Sequence, residues 1–276
     1  MIEPLYDCYL PLVKRAGATP RMVRVTPPDW RLDEKALTAA FGPKTKAILI
    51  NNPMNPAGKV FSRDELQLIA DLCIKHDAIA ICDEVYEHIT FGGAKHIPLM
   101  TLPGMRERTI RIGSAGKTFS LTGWKVGYVT AAPVLLAAVA KAHQFIVFTT
   151  PPNLQAAVAH GLAKPDTYFT GLAAEMQRRR GRLADGLAGL GISSLPCQGT
   201  YFLNIDRRQV PFGWNDVADD VAFCTRLIEQ VGVAAIPLSA FYAERPATDI
   251  VRLCFAKQDA VLDGALARLG SAAARA

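Results

Sequence analysis

Residues Ala78–Tyr86, AIAICDEVY, decide how this chain folds. Five apolar residues run straight into two carboxylates and a phenol, the pattern of a buried strand that ends at a polar crevice. Upstream, Ala47–Ile50 (AILI) is a second such run, ending at the Asn- and Pro-rich segment Asn51–Gly58. Between the two, Ser62 followed three residues on by Glu65 has the spacing of a capping box. It opens a helix whose apolar face carries Leu66, Ile69, Ala70 and Cys73. Downstream, Thr109–Ile112 and Val126–Val129 supply two more strands. This alternation predicts an α/β fold, a mostly parallel sheet sandwiched by helices. In such sheets ligands collect at the carboxyl ends of the strands.

From about Pro151 the texture changes. A helical pattern over roughly Tyr168 to Leu190 leads to strands at Thr200–Ile205, Val233–Pro237 and Asp249–Phe255, with helices near Asp216–Val231 and Gln258–Leu269. The expected organisation is a large domain over residues 1–160 and a smaller α+β domain over residues 161–276. Half of the 276 residues are hydrophobic and a fifth charged, which excludes wholesale disorder. The net charge of +6 is scattered, apart from Arg178, Arg179 and Arg180, which read as a solvated helix face; no nucleic-acid footprint emerges. The apolar stretch Val126–Ala140 is broken by Pro133 and is short of the ~20 residues that span a bilayer. Six dispersed cysteines without a CxxC pair suit a reducing cytoplasm. His88, His96, His143 and His160 are too spread to suggest a metal site.

The residues after each strand carry the chemistry. Asn55 and Gly58 follow the first run, Asp83 and Tyr86 the second, and Ser114 and Lys117 the third. Each alone has an ordinary reading: a turn, a helix N-cap, half-buried packing, a loop hydroxyl, a surface lysine. Together they bring an amide, a carboxylate, a phenol, a hydroxyl and an amine to one crevice. A cofactor with a basic ring nitrogen, a phenolate, an aldehyde and a phosphate needs that set, and pyridoxal 5′-phosphate (PLP) has all four features.

The segments Asn55–Gly58 (NPAG), Asp83–Tyr86 (DEVY), Gly113–Ser120 (GSAGKTFS) and Thr122–Gly127 (TGWKVG) resemble the class I/II aminotransferases among the fold-type I PLP enzymes. The resemblance is to the branch of kynurenine aminotransferase/glutamine transaminase K and bacterial methionine or aromatic aminotransferases. Glu3–Asp7, Leu102–Met105, Gln198–Phe202 and Ala235–Phe241 fit the same branch. It implies the PLP-transferase type I fold with a seven-stranded type of sheet lacking its first strand. It also implies that Lys117 forms the Schiff base and shuttles the proton, while Asp83 pairs with the ring nitrogen. Tyr86 and Asn55 would bond the ring oxygen, Ser114 and Lys125 hold the phosphate, and Tyr6 stack on the ring. Arg252, with Asn55, would bind the substrate, gripping its α-carboxylate, and Phe148 would line the pocket across a homodimer. Lys125 stands where many relatives have Arg and offers a point charge in place of a bidentate fork.

Relatives carry on the order of a hundred further residues before the Glu3–Asp7 motif, as a full two-domain enzyme requires. A Gly-rich phosphate-binding turn belongs to that part, so the expectation is weak PLP binding by these 276 residues alone and apolar surface left uncovered. Three readings stand: transamination of an aromatic, glutamine- or methionine-type L-amino acid with a 2-oxo acid; β-elimination on cysteine S-conjugates; and a chain without activity of its own.

Overall fold

A computed structural model describes residues 1–275. Ile2–Glu3 (β1) and Val23–Thr26 (β2) run parallel, joined through helix Tyr9–Arg15 (α1), and Arg31–Leu32 (β3) returns antiparallel to β2. Asp33 caps helix Glu34–Ala40 (α2) by accepting from the amides of Lys35 and Ala36. The central sheet follows: Ala47–Asn51 (β4), helix Arg63–Lys75 (α3), Ile79–Asp83 (β5), Thr109–Ser114 (β6), the single turn Ala115–Thr118 (α4), and Gly127–Thr130 (β7). Its order is β4-β5-β6-β7. The Ser62–Glu65 capping box is formed, and Leu66, Ile69, Ala70 and Cys73 are buried as their spacing demands.

Helices Pro133–Ile146 (α5), Pro152–Leu162 (α6) and Asp166–Gly189 (α7) lead into the second half. There Phe202–Asp206 (β8), Ile236–Pro237 (β9) and Ile250–Cys254 (β10) form an antiparallel sheet in the order β8-β10-β9. Helix Asp220–Arg226 (α8), continued by a π-helical turn to Val231, and helix Asp259–Ala273 (α9) pack on it. No helix among the described residues is long and apolar enough to cross a membrane.

Several expectations are revised. The hydrogen-bonded central sheet has four strands, and Val23–Thr26, which no sequence pattern singled out, pairs with β1 and β3. Strands β4, β5 and β6 are parallel, but β7 is antiparallel: the tight turn at 119–126 sends the chain straight back. Pro133 opens a helix at its first turn, where a missing N–H costs nothing. The helix expected from Asp216 starts only at Asp220, capped by Asp219, and the strand expected from Val233 is confined to Ile236–Pro237. Arg180 is not part of a solvated face; it donates to Cys197 O (2.6 Å) and stacks on Phe91, while Arg178 pairs with Glu175 and Asp259.

Two cores meet beside the site. One, with Val25, Trp30, Ile50, Phe61 and Cys82, underlies the central sheet. The other, around Leu187, Leu203, Val251 and Phe255, also takes in Tyr86, Ile89 and Phe91 from the loop after β5. Each such side chain contributes about 1.5–3 kcal/mol on burial, so this loop is held from both sides. Register sets Asn51 beside Asp83, and Asp83 beside Ile112. Three strand ends thus open onto one crevice.

Candidate active site

Ser114 ends β6 and caps α4, its Oγ accepting from the Gly116 amide at 3.2 Å. A Cβ on Gly116 would stand 3.0 Å from Thr122 Cα, so the turn is closely packed. Lys117 leaves this turn half-buried, with Nζ 5.8 Å from the ring centroids of both Tyr86 and Tyr201. Ser114 pairs with Gly127 across the sheet, and Ala115 N donates to Val126 O, which places the exposed Lys125 next to this turn.

Asp83 is largely enclosed. Burial pushes its carboxyl above the ordinary range; the Tyr9 phenol, the Val85 amide and the Lys117 ammonium act against that, in this order. Tyr9 donates directly to Asp83 Oδ2, and the Val85 amide donates to Oδ1 at 3.3 Å. Burial, ahead of the adjacent Asp83 charge, drives the Tyr9 phenol well above its usual range, so it stays a donor. Sequence reasoning missed Tyr9. Its one signal is its position three residues after Tyr6, next to which it lies with ring centroids 5.7 Å apart. Tyr6 itself is 42% exposed at the mouth of the crevice.

Arg252 lies in mid-strand β10, as its apolar neighbours Val251 and Leu253 require of a residue that needs a partner. Nη1 donates to Asn55 Oδ1 at 2.6 Å, and the guanidinium stacks 3.9 Å from the centroid of Phe202 and 4.8 Å from that of Phe241. Its buried Nε has no partner. Burial lowers its pKa from the usual value, opposed by the nearby phenol of Tyr86. Asn55 is fixed in turn, its amide donating to Asn51 Oδ1 at 2.7 Å. The loop closes at Gly58, whose φ of +72° favours glycine and where an added Cβ would stand 3.2 Å from Cys197 Sγ.

Beneath the crevice a buried tether holds the loop after β5. Glu84 is 1% exposed and accepts from Arg111 Nε (2.6 Å), His96 Nε2 (3.1 Å) and the Leu99 amide (3.3 Å). Arg111 also pairs with Glu87, which accepts from Tyr128 Oη at 3.0 Å. Phe148 is apart from all this, 80% exposed after α5 with its φ at +68°.

Taken together, a buried carboxylate, an ammonium in its field, two phenols and a guanidinium with an unsatisfied nitrogen suit a flat ring with a basic nitrogen at one end. The guanidinium would take a second, carboxylate-bearing molecule.

The family model for "Aminotransferase class I and II" matches residues 1–269. Human kynurenine--oxoglutarate transaminase 1 is 39% identical over 95% of this chain and 68% of its own length. The rat kynurenine--oxoglutarate transaminase 3 is 40% identical over 96% of this chain and 64% of its own length. The solved N-succinyldiaminopimelate aminotransferase of Mycobacterium tuberculosis superposes with a TM-score of 0.93 at 42% identity, covering 98% of this chain and 70% of that one. YbdL of Escherichia coli, titled for a methionine aminotransferase function, gives 0.91 at 34% identity, covering 98% and 69%. The chain spans about two thirds of the length of these relatives, 64% to 70%. With the fold, the strand-end residues and the family model in agreement, this chain belongs to the class I and II aminotransferases, a family of PLP-dependent enzymes.

Proposed function

We propose that this chain carries the site of an aminotransferase that moves an amino group from an L-amino acid of aromatic, glutamine or methionine type to a 2-oxo acid. The observation that carries the reading is the placement of Lys117 in the field of the buried Asp83, flanked by two phenols. When bound, PLP supplies an electrophilic carbon for the amino group and a ring that accepts the electron pair released at the α-carbon. The residues do the rest. Asp83 keeps a proton on the ring nitrogen, and its Tyr9 donor keeps Asp83 ionised. Tyr86 and the Asn55 amide donate to the ring oxygen, Ser114 and Lys125 hold the phosphate, and Tyr6 covers the ring. Arg252 binds the α-carboxylate, satisfying its free Nε. Lys117, once its amine is free and neutral, would take the α-proton as general base and deliver it to the cofactor carbon on the far side of the transferred nitrogen.

A homodimer belongs to the same reading. It is supported by the exposed apolar run Phe145, Ile146, Val147 and Phe148, for which a second copy is the natural cover. Phe148 then lines the partner's pocket. A reducing, cytoplasmic setting is supported by all six cysteines being free. The test is titration of the chain with PLP, following the visible absorbance of a Lys117-linked cofactor. Weak binding predicts a band that grows only at high PLP in the wild type and is absent in Lys117→Ala. A Lys117→Ala variant keeping the band would overturn the assignment, and a tight, stoichiometric wild-type band would overturn the expectation of weak binding.

A further inference from the structure

Glu3 and Arg24 take no part in the crevice, yet between them they hold the segment that shapes one of its walls. Glu3, at the end of β1, is 3% exposed, and one of its oxygens accepts from Arg24 Nε at 3.2 Å and Nη2 at 2.8 Å. Its other oxygen accepts from the Ala243 amide at 3.1 Å. Arg24, on β2, gives further donors to the same stretch, Nη1 to Arg245 O at 3.0 Å and Nη2 to Glu244 O at 2.7 Å. Its guanidinium rests 4.8 Å from the centroid of Tyr242. The Leu5 amide adds a bond to Phe241 O at 2.7 Å. Residues 241 to 245 are thus gripped along their backbone from the β1–β2 side.

The other end of this segment is the strand neighbour of Arg252. Ile236 pairs with Arg252, and Pro237 with Val251. The Ser239 amide then donates at 2.7 Å to Oδ2 of the fully buried Asp220. Between the two anchorages stands Phe241, 6% exposed, with its ring centroid 4.8 Å from the Arg252 guanidinium. A planar guanidinium stacked on a ring face is held in one orientation. Its remaining neighbours, Phe202 and Asn55, leave the buried Nε without a partner. Displacing Phe241 would therefore free the guanidinium to tilt.

We infer that Glu3 and Arg24 are a positioning pair for carboxylate recognition: their clamp on residues 243–245 fixes Phe241 against Arg252 and so aims the free Nε–H at an incoming carboxylate. This rests on the reading of Arg252 as the α-carboxylate site. Neither member of the pair touches the substrate; the effect passes through Phe241. Charge alone does not perform the task. The rigid guanidinium of Arg24 reaches one carboxylate and two carbonyls at once, which a lysine ammonium on a flexible stem does not reproduce.

The test follows the Arg252 Nε–H resonance by heteronuclear NMR in the chain without cofactor, assigned by its loss in Arg252→Lys. Two variants are compared: Arg24→Lys, which keeps a cation beside the buried Glu3, and Glu3→Gln, which keeps the shape. In both, the resonance is expected to move downfield as the Phe241 ring withdraws. Phenylacetate serves as the probe carboxylate, and its Kd, read from the same resonance, is expected to rise about fivefold, the scale of one hydrogen bond. Loss of stability alone moves neither readout, since both belong to the folded chain. In a Phe241→Leu background Arg24→Lys should weaken the probe no further. An unmoved resonance, an unchanged Kd, or an equal loss without Phe241 each overturns the inference. A wild-type chain that takes up no phenylacetate would instead overturn the reading of Arg252 as a carboxylate site, while the resonance of the ligand-free variants would still establish or exclude the clamp's hold on the guanidinium.

Discussion

Replacing Arg111 with alanine is expected to cost about 3–5 kcal/mol of stability, the loss that follows when one member of a buried ion pair is removed. Three exposures decide this. The side chain of Glu84 is 2% exposed, that of Glu87 10% and that of Arg111 18%, so neither carboxylate recovers its hydration when the guanidinium goes. Glu84 would keep only His96 Nε2 at 3.1 Å and the Leu99 amide at 3.3 Å. Glu87 would keep Tyr128 Oη at 3.0 Å and a distant His88 at 3.7 Å. Thermal unfolding followed by circular dichroism should register a fall of roughly 10 °C, at about 2–4 °C per kcal/mol for a domain of this size. Arg182→Ala is the comparison. It breaks a bond of the same 2.6 Å length to Asp263, but between side chains 40% and 48% exposed. Exposed pairs contribute about 0–1 kcal/mol, so that variant should melt within ~3 °C of wild type. Similar losses in the two variants would refute the argument from burial.

Further outcomes follow from single contacts. Tyr9→Phe removes the strongest group opposing burial at Asp83, so the Asp83 pKa rises and the acid limb of the pH–rate profile should move up by about one unit, the worth of a charge-assisted bond; an unmoved limb would discount Tyr9. In Gly113→Ala the new Cβ would stand 2.0 Å from Cε2 of the Tyr128 ring, pushing that ring off Glu87, and a loss of about 1–3 kcal/mol is expected in urea unfolding. His88 is held below its ordinary value of 6.5 by burial first and His96 second. The unfolded chain therefore binds that proton more tightly, and stability present above pH 6.5 is lost as the pH falls through 6.5 toward the folded value. In His88→Gln, melting temperatures at about pH 7.5 and about pH 5.5 should differ less than in wild type.

What the sequence made legible is what short-range physics controls. Ala47–Asn51, the Ser62-capped helix and Ile79–Asp83 fall where periodicity and capping put them. Asn55, Asp83, Tyr86, Ser114 and Lys117 lie at or just after strand ends, so a rule about strand exits was enough to nominate them. The direction of β7 was not legible, because it depends on the left-handed Lys125 (φ +56°) closing a tight turn that no apolar pattern announces. Tyr9 was hidden for a different reason: its partner lies 74 residues away, and nothing local in DCYLP marks it as anything but a helix start. The Glu3–Arg24 clamp was hidden likewise, since the loop it holds lies more than 200 residues downstream. Phe148 shows the remaining gap, since within this chain it shows only exposure.

The two charges that matter most in the crevice are both opposed by their surroundings. Burial is the largest influence on each, raising the pKa of Asp83 and lowering that of Arg252. A fold selected for stability alone would not hold them so, which is the usual mark of a site kept for its chemistry. The tether under Asp83 and the carboxylate itself should therefore respond to mutation with opposite signs. Asp83→Asn removes a disfavoured charge while leaving an acceptor for Tyr9, and it should be neutral or stabilising by up to about 1 kcal/mol. It should also abolish the tight binding of any ligand that needs an anion there. Calorimetric or denaturant unfolding of Asp83→Asn beside Arg111→Ala settles the matter. If neutralising Asp83 costs as much as cutting the tether, the carboxylate is a structural element, and its claim to face a basic ring nitrogen fails.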